Sequence, residues 1–483
     1  MRIWSGIGIV AVLAALMAPT SVGKVYVRWT QRAVPPIKVL GVSDLVIPWG
    51  DEAKSPVDAA KKLRYRVFLE ARVALAAAAA EAGAKEGISG IILEGGASEE
   101  SQLEESARKL RAAYPKLKIL ILSAGGKQPE MRGWLVFKRD GILQVSSPTS
   151  QPWLDANLAM VRHERGFRST RAPLYTFSWD LSDPLVKEQG PSPADYSLAV
   201  AEAGAFHADL ILEVHERQQK GLATGEKETL AGWNQVKRTL EFCERGNHGK
   251  AEVAAPVGVL TNDYEVSYEA LNLMARHNIP YRVLHSAELK AHHLEGLDVA
   301  IAFSPLGKEL IAEIREFAAG GGVAVLVNLP GAYPWDSSSE GKTSGHSVTY
   351  TLGKGRVIEL REAVTDPETF AQDIRRLMVK QRIPVSLWNS LTTLVVVYPG
   401  EKAGETTLEL VNYAEEPTHV QVQVKGTFVS ARYESPERGC CEKLKPMQVD
   451  GFTEFVVTDL VSGGRVHLGP AAGGAAEDAK SSY

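Results

Sequence analysis

The sequence has little cysteine, no surplus of positive charge and only one long apolar run. Three cysteines in 483 residues are too few for a fold built on disulfides. With 54 Lys and Arg against 58 Asp and Glu, the formal net charge of −4 gives no electrostatic reason to expect nucleic acid as a partner. Apolar residues at 45% and charged residues at 23% are typical of a globular protein and exclude a fibrous or disordered chain. The length predicts roughly two to four domains.

The one long apolar run lies at the amino terminus. Met1-Arg2 precedes an uncharged stretch from Ile3 to Gly23, which Pro19 and several glycines interrupt. The interrupted run falls short of the ~20 apolar residues of a spanning helix, and small residues stand at its end. Residues 1–23 are therefore predicted to be a secretory signal peptide. This predicts a periplasmic or extracellular protein with no integral membrane span after signal removal.

The spacing of cysteine, histidine and glycine predicts no metal site and no cofactor. Cys440 and Cys441 are adjacent, where a bridge would close a strained ring, so we expect free or partly buried thiols here and at Cys243. His292-His293 has no acid or cysteine at ligand spacing. The run Gly320-Gly321-Gly322 follows a predicted helix and precedes a strand, so it reads as a helix stop and not as a phosphate loop.

Strands and helices alternate from about Ile37 to Arg245. The clearest strands are Val67–Glu70, Gly90–Glu94, Leu117–Ser123, Ile142–Ser146, Pro173–Asp180 and Asp209–Val214. Apolar strands separated by helices predict a parallel sheet covered on both faces. Residues 39–48 and 134–137 bring the count to about seven or eight, which favours a (β/α)8-type barrel over residues 24–250. A broken or seven-stranded barrel stays open as an alternative.

Two further units follow the barrel. Residues 251–380 again alternate between strands and helices and predict a second α/β domain. Residues 381–468 contain alternating segments such as His419–Lys425, which predict a small antiparallel β-sandwich. The last residues, 469–483, are mostly Ala, Gly and Ser and are predicted to be a disordered tail.

The second unit resembles a known domain. The likeness rests on four successive segments. These are the strand Val299–Phe303, the helix Lys308–Ala319 opened by Ser304-Pro305-Leu306, the Gly-Gly-Gly turn into Val323–Val327, and the hairpin around Gly353-Lys354-Gly355. They resemble the flavodoxin-like, glutamine-amidotransferase-like domain that follows the barrel in some glycoside hydrolases, notably the trimerising beta-galactosidases. The resemblance implies a glycoside-hydrolase-like barrel, a carbohydrate ligand and homo-oligomer contacts through this domain. No family active-site motif is present, so no catalytic residue is carried over.

This domain also differs from working amidotransferases. No cysteine lies between Cys243 and Cys440, so the nucleophile of those enzymes is missing. The difference favours a structural or oligomer-forming role. A serine amidase centred on Ser304 would need that side chain to be exposed beside a histidine.

The segment Tyr175–Asp180 holds the first candidate catalytic residue. Barrel enzymes act at the carboxyl ends of their strands, so acids at those ends are the candidates. Strand alternation places Asp180 on the face opposite Phe177 and Trp179, whose rings suit the helix layer. Asp180 is therefore predicted to point into the barrel mouth, with a simple loop-opening role as the alternative. Trp179 is a candidate substrate-binding residue.

The next strand supplies the second candidate. Glu213 and His215 alternate onto one face, where a histidine could pair with the acid or share a proton with it. Glu94 and Glu70 stand at the ends of two other predicted strands. Glu94 and His215 are predicted to support substrate binding.

These acids suggest one reaction class. Hydrolysis of a glycosidic bond usually needs two carboxyl groups across the bond, and Asp180 and Glu213 lie on successive strands, which are ~5 Å apart if adjacent. We therefore predict a secreted or periplasmic glycoside-hydrolase-like protein that acts on a carbohydrate at the barrel mouth. The alternative is a non-catalytic carbohydrate-binding or structural protein with a degenerate barrel.

Overall fold

The computed structural model describes residues 23–122, 135–139, 142–146, 157–167, 172–179, 188, 190–246, 252–285, 293–337, 340–390, 392–414 and 416–470. Three predictions fall outside these residues: residues 1–22 of the signal peptide, the candidate Asp180, and residues 471–483 of the tail. None of the helices in the described ranges has both the length and the apolar character that crossing a bilayer requires.

The first part of the chain builds a barrel-like parallel sheet and a separate hairpin. The strands are β1 (Val25–Arg28), β2 (Asp44–Pro48), β3 (Arg66–Arg72), β4 (Gly90–Glu94), β5 (Lys118–Ile121), β6 (Leu135–Arg139), β7 (Ile142–Ser146), β8 (Leu174–Phe177) and β9 (Asp209–Glu213). Seven of them pair in the order β5-β4-β3-β2-β1-β9-β8, and every neighbouring pair is parallel. No strand in the described ranges joins the two edges of this sheet.

The structure corrects the predicted strand list in two places. Ile142–Ser146 pairs antiparallel with Leu135–Arg139 in its own two-stranded sheet and is not a barrel strand. Two residues separate these strands, and a parallel connection needs a dozen or more. Val25–Arg28, which the strand count omitted, forms the fifth strand of the sheet order. Within the described ranges the barrel-like sheet therefore has seven strands, which agrees with the seven-stranded alternative.

The described part of this region also contains α-helices, several of which pack against the strands of this sheet. They are α1 (Ile37–Leu40), α2 (Lys54–Lys62), α3 (Ala76–Glu86), α4 (Glu100–Ala113), α5 (Asn157–Phe167), α6 (Pro193–Ala205), α7 (Glu216–Thr224) and α8 (Lys227–Glu244). Helix α6 begins with a capping box, in which Ser192 and Asp195 satisfy each other's backbone N–H, and with a proline at its first position. The ring of Tyr196 on α6 lies 5.6 Å from the rings of both Phe177 and Trp233, so Phe177 faces the helix layer as predicted.

A second α/β sheet follows. Its elements are β10 (Val257–Leu260), α9 (Tyr264–Arg276), β11 (Tyr281–Leu284), β12 (Val299–Ala302), α10 (Lys308–Gly320), β13 (Val323–Val327), β14 (Lys342–Ser344), β15 (Ser347–Leu352), β16 (Gly355–Leu360) and α11 (Pro367–Leu377). The order is β11-β10-β12-β13-β16-β15-β14, with β15 and β16 forming the predicted hairpin. Gly321 adopts φ of 119° and ends α10 through its backbone N–H, which confirms the predicted helix stop. Ser304 is 6% exposed and its hydroxyl accepts from Asn262 N, so it does not offer the exposed side chain that an amidase would need.

Two antiparallel sheets close the described chain. Their strands are β17 (Val385–Trp388), β18 (Thr393–Pro399), β19 (Thr406–Asn412), β20 (Thr418–Lys425), β21 (Phe428–Ser435), β22 (Gly439–Leu444), β23 (Met447–Val449), β24 (Phe452–Leu460) and β25 (Gly463–Pro470). The sheet orders are β17-β20-β24-β23 and β18-β19-β25-β21-β22, and alternating residues such as Val422 fill the core between them. Cys440 and Cys441 are joined in a disulfide, contrary to the expected free thiols, whereas Cys243 is a buried free thiol as expected.

A buried carboxylate joins the barrel to the sandwich. Glu202 on α6 has no exposed surface, and its oxygens accept from Tyr175 Oη at 2.9 Å and Asn157 Nδ2 at 2.6 Å. Tyr413, which follows β19, donates from its hydroxyl to the other oxygen at 2.5 Å. Burial, and then the charge of Glu202, raise the pKa of both tyrosines well above the usual value, so both remain donors. Glu202 thus fixes the sandwich against the sheet and against α5.

The amino end of β9 holds an acid in an unfavourable environment. Asp209 is buried, and its carboxylate accepts from the backbone N–H of Lys24 at 2.7 Å. Burial raises the pKa of Asp209 to about 6; Asp44 adds to this, while the Lys24 hydrogen bond opposes it. The ionised carboxylate is therefore less stable in the folded chain than in water.

We predict that Asp209→Asn stabilises the protein at pH 7. The pKa of Asp209 is about 6 in the folded state and 3.8, the ordinary value, in the unfolded state. The ionised acid therefore lowers the stability of the folded state increasingly as the pH rises from about 4 to about 6. Asparagine keeps an oxygen for Lys24 N without the charge. We expect a gain on the order of 1–3 kcal/mol at pH 7 that disappears near pH 4, measured by urea unfolding. Equal or lower stability of the variant at pH 7 would contradict this account.

Candidate functional site

Side chains on the inner face of the barrel-like sheet form layers along the strands. A buried apolar cluster occupies the middle: Tyr26, Val46, Phe68, Ile92, Leu122, Leu174 and Ile211. Successive side chains of a strand alternate between faces, so the residue two positions further along each strand also faces inward. At the carboxyl end this rule brings Glu70, Glu94 and Glu213 onto the inner face, together with Arg28 from β1. The acids predicted at these three strand ends therefore lie in one layer.

Arg28 is the centre of this layer. Its Nε donates to Glu70 Oε2 at 2.6 Å, and its Nη1 donates to Glu213 Oε1 at 2.9 Å. Glu70 is only 8% exposed, so its charge depends on this partner. Burial opposes the charge on Arg28, but the ion pairs with Glu70 and Glu213 outweigh it and raise the pKa of Arg28. One guanidinium thus holds the carboxyl ends of β1, β3 and β9 in a fixed relation.

Gln219 on α7 fixes the loops that leave β1 and β9. Its Oε1 accepts from the backbone N–H of Thr30 at 2.9 Å and of Gln31 at 3.2 Å. Its Nε2 donates to Val214 O at 2.7 Å. The side chain is 2% exposed, and all these groups would be costly to leave unpaired. Gln219 is therefore a structural support of the site and not a ligand contact.

His215 stands at the turn between β9 and α7. The strand ends at Glu213, and the His215 side chain caps α7 by accepting at Nδ1 from Arg217 N at 3.4 Å. The backbone N–H of His215 donates to the Tyr196 hydroxyl at 2.8 Å. Glu213 and His215 thus reach the same site because the chain turns into a helix, and not because β9 continues to His215.

These elements enclose a cleft of about 410 Å³ at the carboxyl end of the sheet. It is lined by Arg28, Thr30, Ser178, Trp179, Glu213, Val214, His215, Glu216 and Gln219. Of the predicted site residues, Glu213, His215 and Trp179 meet here. Glu94 faces the same interior from β4, three positions away from β1 in the sheet order, and does not line the cleft. Asp180 is outside the described residues.

Three residues of the cleft, Arg28, Thr30 and Gln219, were not predicted from the sequence. Arg28 ends a four-residue strand that begins directly after the predicted signal peptide. Its signal was present, because Val25 and Val27 alternate with Tyr26 and Arg28 as in a strand. Gln219 lies on α7, which was not predicted, and its partners are almost 190 residues away. No local pattern indicates such a pairing.

A second cluster of potential ligands lies on the sandwich. In the described part of the chain, Glu434, Cys440 and Cys441 bring one donor atom each within 4.8 Å of one another. The two sulfurs are bonded to each other, and Glu434 accepts from Arg465 Nη1 at 2.9 Å. These groups are already engaged, so we assign no metal to them.

The fold is similar to that of carbohydrate-active enzymes. No protein-family model matches the chain, and no curated protein matches it. Alpha-L-fucosidase isoenzyme 2 from Paenibacillus thiaminolyticus superposes with a TM-score of 0.59 and 11% identity over 93% of this chain and 100% of that one. A beta-galactosidase from Rahnella sp. R3 superposes with a TM-score of 0.49 and 10% identity, over 87% of this chain and 94% of that one. The exo-beta-1,4-mannosidase Op5Man5 from Opitutaceae bacterium strain TAV5 superposes with a TM-score of 0.46 and 11% identity, over 74% of this chain and 97% of that one. At these identities the likeness concerns the fold.

We predict that Arg28→Met destabilises the protein by about 3 kcal/mol, because Glu70 is then buried without a partner. The double variant Arg28→Met/Glu70→Met should recover much of this loss, since it removes the unpaired charge as well. Arg376→Met, which removes an exposed ion pair with Asp373, is the matched control and should cost no more than about 0.5 kcal/mol. Urea unfolding of the four proteins tests this, and equal losses in the two single variants would refute it.

Proposed function

We propose that this chain binds a carbohydrate in the cleft and hydrolyses a glycosidic bond there, with Glu213 as a catalytic carboxylate. The observation that carries the proposal is the position of Glu213, which lines the cleft together with Trp179 at the carboxyl end of the barrel-like sheet. Enzymes with this type of sheet act at that end. The similarity in fold to an alpha-L-fucosidase over the whole length of that enzyme supports a glycoside as substrate.

The side chains of the cleft suit a sugar. A sugar ring offers apolar C–H faces and a rim of hydroxyl groups. Trp179 provides an apolar surface, and the hydroxyls of Thr30 and Ser178 lie in the same cleft. Arg28 adds donors at the floor, because its hydrogen bonds to Glu70 and Glu213 use Nε and Nη1 and not Nη2.

The contacts of Glu213 define its proposed role. Arg28 engages Oε1, which orients the carboxylate and leaves Oε2 for the reaction. Oε2 then attacks the anomeric carbon, or takes a proton from the water that does so. A second group must give a proton to the leaving oxygen as the glycosidic bond breaks. Asp180 remains the predicted donor because it follows Trp179 in the chain.

A second candidate function is binding without hydrolysis. Glu70 and Glu213 share one guanidinium, and Glu216 pairs with Lys220 at 2.6 Å. These three acids are thus all engaged by cations, which suits a fixed binding surface as well as a catalyst. Export through residues 1–23 and oligomer contacts through residues 251–380 remain proposals in either case.

We predict that Glu213→Gln lowers kcat on chromogenic glycosides at least ~10³-fold with little change in sugar affinity, since the amide keeps the shape but cannot act as nucleophile or base. Asp180→Asn should lower kcat ~10²–10⁴-fold for substrates with poor leaving groups and much less for activated ones. Glu81→Gln, on an exposed part of α3, is the control and should behave as the wild type.

The outcomes separate the two candidates. Turnover that survives Glu213→Gln unchanged removes Glu213 from the mechanism. Sugar binding without turnover by the wild-type chain, lost in Trp179→Ala, favours the binding function. Neither binding nor turnover across a broad set of glycosides would refute both.

A further inference from the structure

The outer face of one sandwich sheet exposes an unusual set of apolar side chains. Trp388 is 42% exposed, Met447 61%, Val449 39% and Val456 49%, and all four belong to the sheet β17-β20-β24-β23. The other large apolar side chains exposed in the described ranges stand on other elements, for example Leu75 and Val266. Contiguous exposed apolar groups on a folded domain usually mark a binding surface.

The strand register shows that these residues share one face. Trp388 pairs with Gln421, and Gln421 pairs with Val456, which forms a row across three strands. A second row runs from Ser386 through Gln423 and Glu454 to Met447. Residues paired across strands point to the same side, and in the row between these two Val422 and Phe455 are buried in the sandwich core, with Leu387 packed against it. We call the outward set of these two rows the Trp388 face. Val449 lies two residues beyond Met447 on β23 and extends this face into the next row, with Phe452 and Lys425.

The Trp388 face combines an aromatic ring with ordered polar groups. Gln423 Nε2 donates to Glu454 Oε1 at 2.7 Å, which holds both side chains in place beside the apolar row. Gln421 lies between Trp388 and Val456 and adds a further amide. The face thus offers exposed apolar side chains with donors and acceptors about 5 Å away on the neighbouring strands.

The size of the Trp388 face limits what can occupy it. Four strands spaced ~4.8 Å apart and residue pairs ~7 Å apart along them give an area on the order of 300 Å². A stable protein partner needs about 800 Å² on each side. The area is therefore too small for a dimer contact of its own but accommodates a few sugar rings side by side.

We propose that the Trp388 face binds a neutral polysaccharide, independently of the cleft. The indole ring of Trp388 stacks on the C–H face of a sugar, and the amides of Gln421 and Gln423 with the carboxylate of Glu454 hydrogen-bond to its hydroxyls. The only acid of the two rows is engaged by Gln423, so the face does not present the clustered charge that a charged polymer would need. The face would retain the chain on a polymer while the cleft acts on a nearby segment.

Native electrophoresis in gels that contain soluble galactan, mannan or xyloglucan tests this proposal with the full chain. We expect at least one polymer to retard the wild type, and Trp388→Ala to weaken that retardation about tenfold, the loss of one stacked ring. Trp388→Phe should keep part of the affinity. Val266→Ala, which removes an exposed apolar side chain from α9, should migrate as the wild type does. Unchanged thermal unfolding confirms that the variants are folded.

The results distinguish this surface from the cleft. Trp179→Ala and Glu213→Gln should leave the retardation intact, even if the cleft proves inactive. The proposal is overturned if no polymer retards the wild type, if Trp388→Ala migrates as the wild type does, or if the retardation is lost in Trp179→Ala instead. A dimer in solution that Trp388→Ala dissociates would assign the face to a second copy and would also overturn it.

Discussion

The ion pairs of Arg28 with Glu70 and Glu213 are the constraint on which the site depends. A carboxylate removed from water is stable only beside a compensating charge, and Glu70 is almost completely buried. Arg28 lies on β1, whereas its partners lie on β9, which is adjacent to β1, and on β3, which is not. The guanidinium therefore fixes the spacing of the strand ends that form the cleft. Gln219 extends the same support to the loops beyond β1 and β9.

The same requirement fixes the sandwich against the barrel-like sheet. Glu202 receives hydrogen bonds from Tyr175 and Asn157 on the barrel side and from Tyr413 on the sandwich side. Arg465 on β25 is held by Glu409 at 2.5 Å and Glu434 at 2.9 Å, and its guanidinium carbon lies 4.6 Å from the centre of the Phe242 ring on α8. Glu202 thus has directional hydrogen-bond partners on both sides of the interface, and Arg465 adds a cation–π contact across it. They therefore specify one orientation of the sandwich, which apolar contacts alone do not.

Sequence patterns predicted the layered α/β and antiparallel architecture and the strand-end positions of Glu94 and Glu213, because both follow from local periodicity. They failed where local pattern and tertiary pairing differ. Ile142–Ser146 is as apolar as a barrel strand, but the short link to Leu135–Arg139 makes a hairpin. Arg28 was missed because its role depends on partners 42 and 185 residues away. Alternation can thus place a residue such as Arg28 or Glu213 at a strand end, but the long-range pairings that position Arg28 and Gln219 are not revealed by any window of sequence.

The state of Arg28 also limits which ligands suit the cleft. Arg28 carries one positive charge against the two negative charges of Glu70 and Glu213, so an anionic ligand would meet a net negative group there. A hydroxyl group meets no such repulsion, because it is uncharged and accepts from the remaining guanidinium hydrogens while both ion pairs persist. The Trp388 face has the same character for another reason, since its acid is engaged by Gln423. Two surfaces on different sheets thus favour uncharged, hydroxyl-rich ligands on independent grounds, one through its ion pairs and the other through its stacked apolar row.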